Sequence, residues 1–201
     1  MGRARYLNPA GFGARVAYSA VATALLVLAV RGSPGPAPLE ARGAPPWPAP
    51  VSARVPAGVR AAGLSLLATP GDVVRFAVHL DVIVNGRRVT VPAGIGIDAR
   101  RRLIAALYTS DTSGIIHVDS DCDCRVFTLG QFFDEWQVAL AREYLGGLRA
   151  LRYDPVAVYL NGSRVAGQPG SVMLTPHLAI AVTYRPGGVT IPASYAFPAG
   201  T

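Results

Sequence analysis

From Phe76 to Val84 the chain alternates, with Phe76, Val78, Leu80, Val82 and Val84 on one side and His79 and Asp81 on the other. A period of two predicts a half-buried strand. Asn85-Gly86 follows, a dipeptide suited to the type I′ hairpin turn. Folding about it sets Val82 opposite Val89 and Leu80 opposite Val91, so the turn and the alternation choose the same apolar face. The other face carries His79, Asp81, Arg88 and Thr90 and reads as a solvated strand surface.

The same device recurs in "VAVYLNGSRV" (Val156 to Val165), where Asn161-Gly162 sets Val158 opposite Val165. The shared form N-G-x-R-V reads as reuse of a favourable turn, because nothing else in the two segments aligns. Ile115 to Val118 and Leu178 to Tyr184 predict two further strands, the second apolar enough to be central. Between the hairpins, Thr128-Leu-Gly-Gln131 is a capping box. Leu129, Phe132, Phe133, Trp136, Ala139, Leu140 and Glu143 then follow helical spacing, and Gly146-Gly147 supplies the stop. The aromatic stripe reads as core; Asp134 and Glu135 fall on the polar flank and read as solvated. Hairpin, helix, hairpin and strand together predict an α+β domain, with β-hairpins packed on one main helix in a β-grasp-like arrangement.

The N-terminal part changes the picture. Arg3, Arg5 and Arg15 precede the uncharged run Val16 to Val30, which predicts a signal anchor. The run alone is short for a membrane span, and Gly11 to Ala14 with a snorkelling Arg15 restores the length. The expected organisation is a cytoplasmic basic region over 1–15, a single transmembrane helix over 16–30, a Pro-rich linker over 31–70, the domain over 71–185 and a tail over 186–201. Arginine on the inner side leaves the domain outside the cytoplasm. Secretion after cleavage of the segment is the alternative. Eight prolines between Arg31 and Pro56 predict an extended tether, in which Trp47 reads as an interfacial or incidental aromatic.

Charge then excludes one class. The formal net charge is +7, but residues 1–60 hold seven Arg against one acid, while residues 61–201 hold twelve Arg against eleven acids. The domain is therefore nearly neutral and lacks the basic footprint of a nucleic-acid binder. No P-loop, G-x-S-x-G elbow or H-E-x-x-H helix is present. Ser113, His117 and Asp111 are close in sequence, with no spacing that makes them nucleophile, base and orienter. Catalysis is not expected.

The segment "IIHVDSDCDC" carries the candidate chemistry. In an extended chain His117, Asp119, Asp121 and Asp123 share one face, and Cys122 and Cys124 share the other. Two cysteines at this spacing suit a soft metal, copper or zinc, with His79 and His117 as the available partners. A disulfide is the competing reading outside the cell and demands a bent backbone between i and i+2. The D-x-D-x-D run lacks the glycine and glutamate that an EF-hand loop requires. His177 has no role that the sequence assigns.

Four segments carry a resemblance: "HLDVIVNGRRVTVPAGIGID" (His79 to Asp98), "LYTSDTSGIIHVDS" (Leu107 to Ser120), "FTLGQFFDEW" (Phe127 to Trp136) and "IPASYAFP" (Ile191 to Pro198). Together they span most of residues 76–198. They resemble an uncharacterised family of membrane-anchored or secreted proteins of actinobacteria and some archaea. Its motif runs L-H-T-H-D-x-S-G-I-I-H-V-E, followed by F-T-L-G-x-F-F-x-x-W, and its three histidines suggest a metal site. Here Tyr108 and Ser110 stand at two of those histidine positions, while His117 and His79 match. The resemblance thus implies fold and location, with a degenerate site. The expected function is a membrane-tethered extracytoplasmic interaction or accessory module with an envelope protein partner and no cofactor. The alternative is a copper- or zinc-binding module using His79, His117, Cys122 and Cys124.

Overall fold

The computed structural model describes residues 43–200. Its first element is a short helix, α1 (Val55–Ala61). The alternating segment forms a long strand, β1 (Val74–Val84), and returns as β2 (Arg87–Val89). Asn85 and Gly86 both take positive φ, 50° and 74°, as a type I′ turn requires. Val82 pairs with Val89 as expected. The expected Leu80–Val91 pair is absent because β2 ends at Val89. The Leu80 N–H instead donates to the Gly114 carbonyl at 2.8 Å, where another strand joins the same edge of β1. Gly114 has φ 86°, and a Cβ there would lie 2.6 Å from the Leu80 oxygen, so only glycine fits this junction.

A small ladder, β3 (Ile97–Asp98) with β4 (Leu103–Ile104), precedes β5 (Leu107–Tyr108) and β6 (Ile115–Ser120). Next comes α2 (Leu129–Trp136), then a meander of β7 (Leu140–Ala141), β8 (Tyr144–Leu145) and β9 (Leu148–Arg149). The second hairpin is β10 (Ala157–Leu160) with β11 (Ser163–Val165), in the expected Val158–Val165 register, and the last strand is β12 (Ala179–Tyr184). The main sheet has the order β11-β10-β12-β1-β6-β5, with β2 also on β1. At its centre β1 and β12 run parallel, from His79–Ala179 to Val84–Tyr184.

One face of this sheet is the core: Val78, Leu80, Val82, Ile116, Val118, Ile180 and Val182 pack with Leu129, Phe132, Phe133 and Trp136 of α2. The capping box is present in both directions. The Thr128 hydroxyl accepts the Gln131 N–H, and the Gln131 side-chain oxygen accepts the Thr128 N–H at 3.0 Å. The helix stops at Gln137, which turns left-handed (φ 60°, ψ 37°) and donates from its side chain to the Arg54 carbonyl at 2.8 Å. It was expected to run on to Glu143. The apolar spacing beyond Trp136 belongs instead to the meander, and Gly146, with φ 55°, makes a turn against the Trp47 ring.

The expected α+β, β-grasp-like class is therefore corrected. The described residues are mainly β-sheet, with two short helices of seven and eight residues. The expected basic region and transmembrane helix lie outside the described residues, as does the linker before residue 43. No helix among the described residues is long and apolar enough to cross a membrane.

Residues 43–70, expected as tether, are part of the packed unit. Trp47 is 2% exposed and meets Trp136 edge-on, with centroids 6.0 Å apart. The Trp136 indole N–H donates to the Trp47 carbonyl at 3.2 Å. Burying an indole of this size stabilises by about 3 kcal/mol, enough to hold a Pro-rich segment that has no ladder of its own.

The second sheet face is also covered. Ala77 and Ile83 are fully buried and His79 is 7% exposed, so the expected solvated surface is corrected at His79, while Arg88 and Thr90 are exposed as expected. Residues 186–200 cross this face. Tyr195 stacks on His79, and the Phe197 ring centroid lies 5.0 Å from that of His177.

Candidate functional site

Pairing on the covered face decides which polar groups meet. Tyr108 on β5 is opposite His117 on β6, which is opposite Ala77 on β1, and Asp119 is opposite Arg75. Period-two geometry thus brings Arg75, Tyr108, His117 and Asp119 onto one surface. The Tyr108 ring stacks on His117 with centroids 4.9 Å apart and planes 18° apart. Its hydroxyl donates to Asp119 Oδ2 at 2.9 Å, and Arg75 Nε lies 3.5 Å from Asp119 Oδ1. Ser110 Oγ is 3.1 Å from His117 Nε2. With Pro70, Phe76 and Gly200, the residues Arg75, Tyr108, His117 and Asp119 line a cavity of about 270 Å³.

The electrostatics follow from burial. Asp119 is 3% exposed, but it receives a hydroxyl and faces a guanidinium, so its charge is matched. Tyr108 is pushed up to about 12, first by burial, then by the hydrogen bond to Asp119 and by that carboxylate's charge. It therefore stays a neutral donor at every physiological pH. Arg75 has 63% of its side chain exposed, and the Ser110 hydroxyl is exposed. Those two groups and the His117 ring edge are what the site offers a ligand.

His79 lies on the same face but is spent on other partners. Its Nε2–H donates to the Ser113 carbonyl at 3.1 Å, and its Nδ1 is 3.9 Å from Asp81 Oδ2. Asp81 is itself ion-paired with Arg88. Burial holds His79 below its ordinary value against the opposing pull of Asp81.

Cys122 and Cys124 are joined by a disulfide with Cα atoms 5.2 Å apart. The backbone bends as the spacing demands. The Ser120 hydroxyl accepts the Cys122 N–H at 3.2 Å and donates to the Cys122 carbonyl at 2.8 Å. Closing so short a loop constrains the unfolded chain by only about 1.6 kcal/mol, roughly half the effect of a fifteen-residue loop.

The four metal candidates are thus not assembled into one site. Both cysteine sulfurs are in the bridge, and each imidazole has its own partner. Among the described residues, no group of three His, Cys, Asp or Glu could hold a metal ion. Nor do Ser113, His117 and Asp111 form a catalytic set. The Asp111 carboxylate accepts the Ser113 N–H at 2.8 Å and hydroxyl at 2.5 Å, and these bonds hold it below the usual carboxylate range.

Glu135 departs from its sequence reading. It is 1% exposed, and neither carboxyl oxygen has a hydrogen-bond partner. Burial pushes its carboxyl well up, with the neighbouring Asp134 adding to the effect. Gly58 of α1 approaches so closely that a Cβ there would lie 2.9 Å from the Glu135 carbonyl oxygen. The flank that reads as solvated is covered by a helix the tether reading did not anticipate. Pro56 near the start of α1, suited to a first helical turn, was the available signal.

No protein-family model, no curated protein and no solved structure matches this chain.

Proposed function

We propose that this chain is a membrane-tethered, extracytoplasmic interaction module. It holds a small polar group of an envelope protein partner in the cavity formed by Arg75, Tyr108, His117 and Asp119. The observation that carries the reading is the convergence of these side chains from three neighbouring strands on one surface cavity, next to the exposed Ser110 hydroxyl. A guanidinium with spare donors, a hydroxyl and an imidazole suit recognition of a carboxylate or amide. No nucleophile with a base and an orienting acid accompanies them. The outward location is supported by the disulfide, which persists in oxidising compartments. The arginine-flanked apolar run at residues 16–30 supports the tether.

The family resemblance is part of the same reading. The positions at which the motif carries histidine are 108, 110 and 117. In this chain Tyr108 and Ser110 both touch His117. A shared site whose ligating groups have been exchanged for hydrogen-bonding ones accounts for that.

The test is affinity enrichment from membrane extract with full-length protein, compared across wild type, Arg75→Ala and His117→Ala, with circular dichroism as the folding control. The reading expects one partner that wild type retains and both folded variants lose. Equal recovery by all three would overturn it. Tight one-to-one binding of copper or zinc by wild type would replace it with the metal-binding alternative.

A further inference from the structure

Beyond the cavity, the chain carries a second chemically competent feature, the Cys122–Cys124 bridge. We propose that it is a thiol–disulfide exchange site that oxidises cysteine pairs in positively charged peptides.

Three observations carry the proposal. First, the bridge is not needed to hold the fold. Its loop is short, and its flanks are fixed independently: the Val73 N–H donates to the Ser120 carbonyl at 3.0 Å, the Ser120 hydroxyl ties Cys122, and Thr128 caps α2. Second, it is accessible and asymmetric. Cys124 is exposed, whereas Cys122 is half-buried with its backbone N–H and C=O both engaged by Ser120. Exposed disulfides are the labile ones. Third, the surroundings suit a peptide of one charge type. Within the segment 121–125, Asp121 and Asp123 are exposed on either side of Cys122 and outnumber Arg125. Val126, 65% exposed, follows Cys124 by two residues, and Val73, 59% exposed, is held beside the bridge by its N–H bond to the Ser120 carbonyl, so both offer apolar contact.

The chemistry balances within the two partners. A peptide thiolate attacks Cys124 Sγ, the sulfur–sulfur bond breaks, and the electron pair leaves on Cys122 Sγ, which takes a proton from water. The peptide is then joined to Cys124 as a mixed disulfide. A second thiolate of the same peptide attacks its own bridged sulfur and releases Cys124 as a thiolate, which is protonated in turn. The peptide dithiol loses two electrons, and the protein gains them as two thiols.

The experiment uses oxidised full-length protein and matched peptides carrying one or two cysteines, in a basic and an acidic version. The basic dithiol is expected to be oxidised with one equivalent of protein. At low salt it should react about tenfold faster than the acidic one, and high salt should narrow the gap. The basic monothiol is expected to accumulate as a mixed disulfide at Cys124, leaving Cys122 open to alkylation. Reduction should leave the circular dichroism unchanged and lower the thermal midpoint by no more than about 5 °C. A bridge that opens only as the domain unfolds would overturn the site. Adduct formation on Cys122 would overturn the assigned asymmetry, and equal rates for the two peptides would overturn the charge selection.

Discussion

Tyr195 lies flat on His79, with ring centroids 3.7 Å apart and planes 7° apart. This stack covers the imidazole, and burial lowers its pKa below the ordinary 6.5, against Asp81 and with a smaller contribution from Arg88. The unfolded chain therefore binds the His79 proton more readily than the folded one. The His79 contribution to stability is full above about pH 6.5 and is lost as pH falls through the lower folded value. Tyr195→Ala is expected to lower stability by about 1–2 kcal/mol. It should also flatten the acid limb of the profile, because a rehydrated His79 regains its ordinary affinity for protons. Thermal denaturation between neutral pH and pH values well below 6.5 reads both effects.

Glu135 has the opposite sign. Its carboxyl is raised by burial, so the folded state holds the proton more tightly than the unfolded state. Stability from this group is greatest in acid and declines as pH rises from the ordinary glutamate range towards the raised value. Glu135→Gln keeps the shape and removes the titration. It is expected to stabilise the domain at neutral pH by about 1 kcal/mol or more. The wild-type and variant curves should converge in acid, and divergence there would show that the effect is not protonation.

Tyr108 gives a spectroscopic prediction. In ultraviolet titration one tyrosine should ionise late, at about 12. Asp119→Asn removes the carboxylate charge and is expected to bring that group back towards its ordinary value. Tyr108→Phe should eliminate the late phase and lower stability by about 1–2 kcal/mol, since it leaves a buried carboxylate short of a donor.

Trp47 lies in the packed unit, upstream of the expected domain start. Trp47→Ala is expected to cost about 3–5 kcal/mol. A chain that begins at residue 71, where the sequence pattern places the domain start, should be far less stable than one that begins at residue 43. Denaturant unfolding of the two truncations decides this directly.

These residues also show what was legible in advance. Both hairpins were readable with their register, because an Asn-Gly turn and a period of two each specify the same pairing, as with Val82–Val89 and Val158–Val165. The start of α2 was readable because a capping box is local chemistry at Thr128 and Gln131. What failed depended on distant partners. The end of α2 depends on Arg54 receiving Gln137, and the burial of Glu135 depends on α1. The covering of His79 depends on Tyr195, more than a hundred positions away. The candidate site was half visible. His117 stood out by residue type, and Tyr108 and Ser110 by the motif positions they occupy, whereas Arg75 acquires meaning only through its strand pairing with Asp119.

The parallel pairing of β1 with β12 has a consequence for how the protein comes into being. Residue 79 must find residue 179, and no hairpin shortens that search. Contacts this far apart in sequence form slowly, because loop closure precedes any reward. A chain emerging N-terminus first can assemble the first hairpin and the capped helix early, but its central sheet waits for the last strand. The covering tail follows later still. One edge of β1 therefore stays unpaired until residues 179–184 have been made, and the centre of the sheet closes only then.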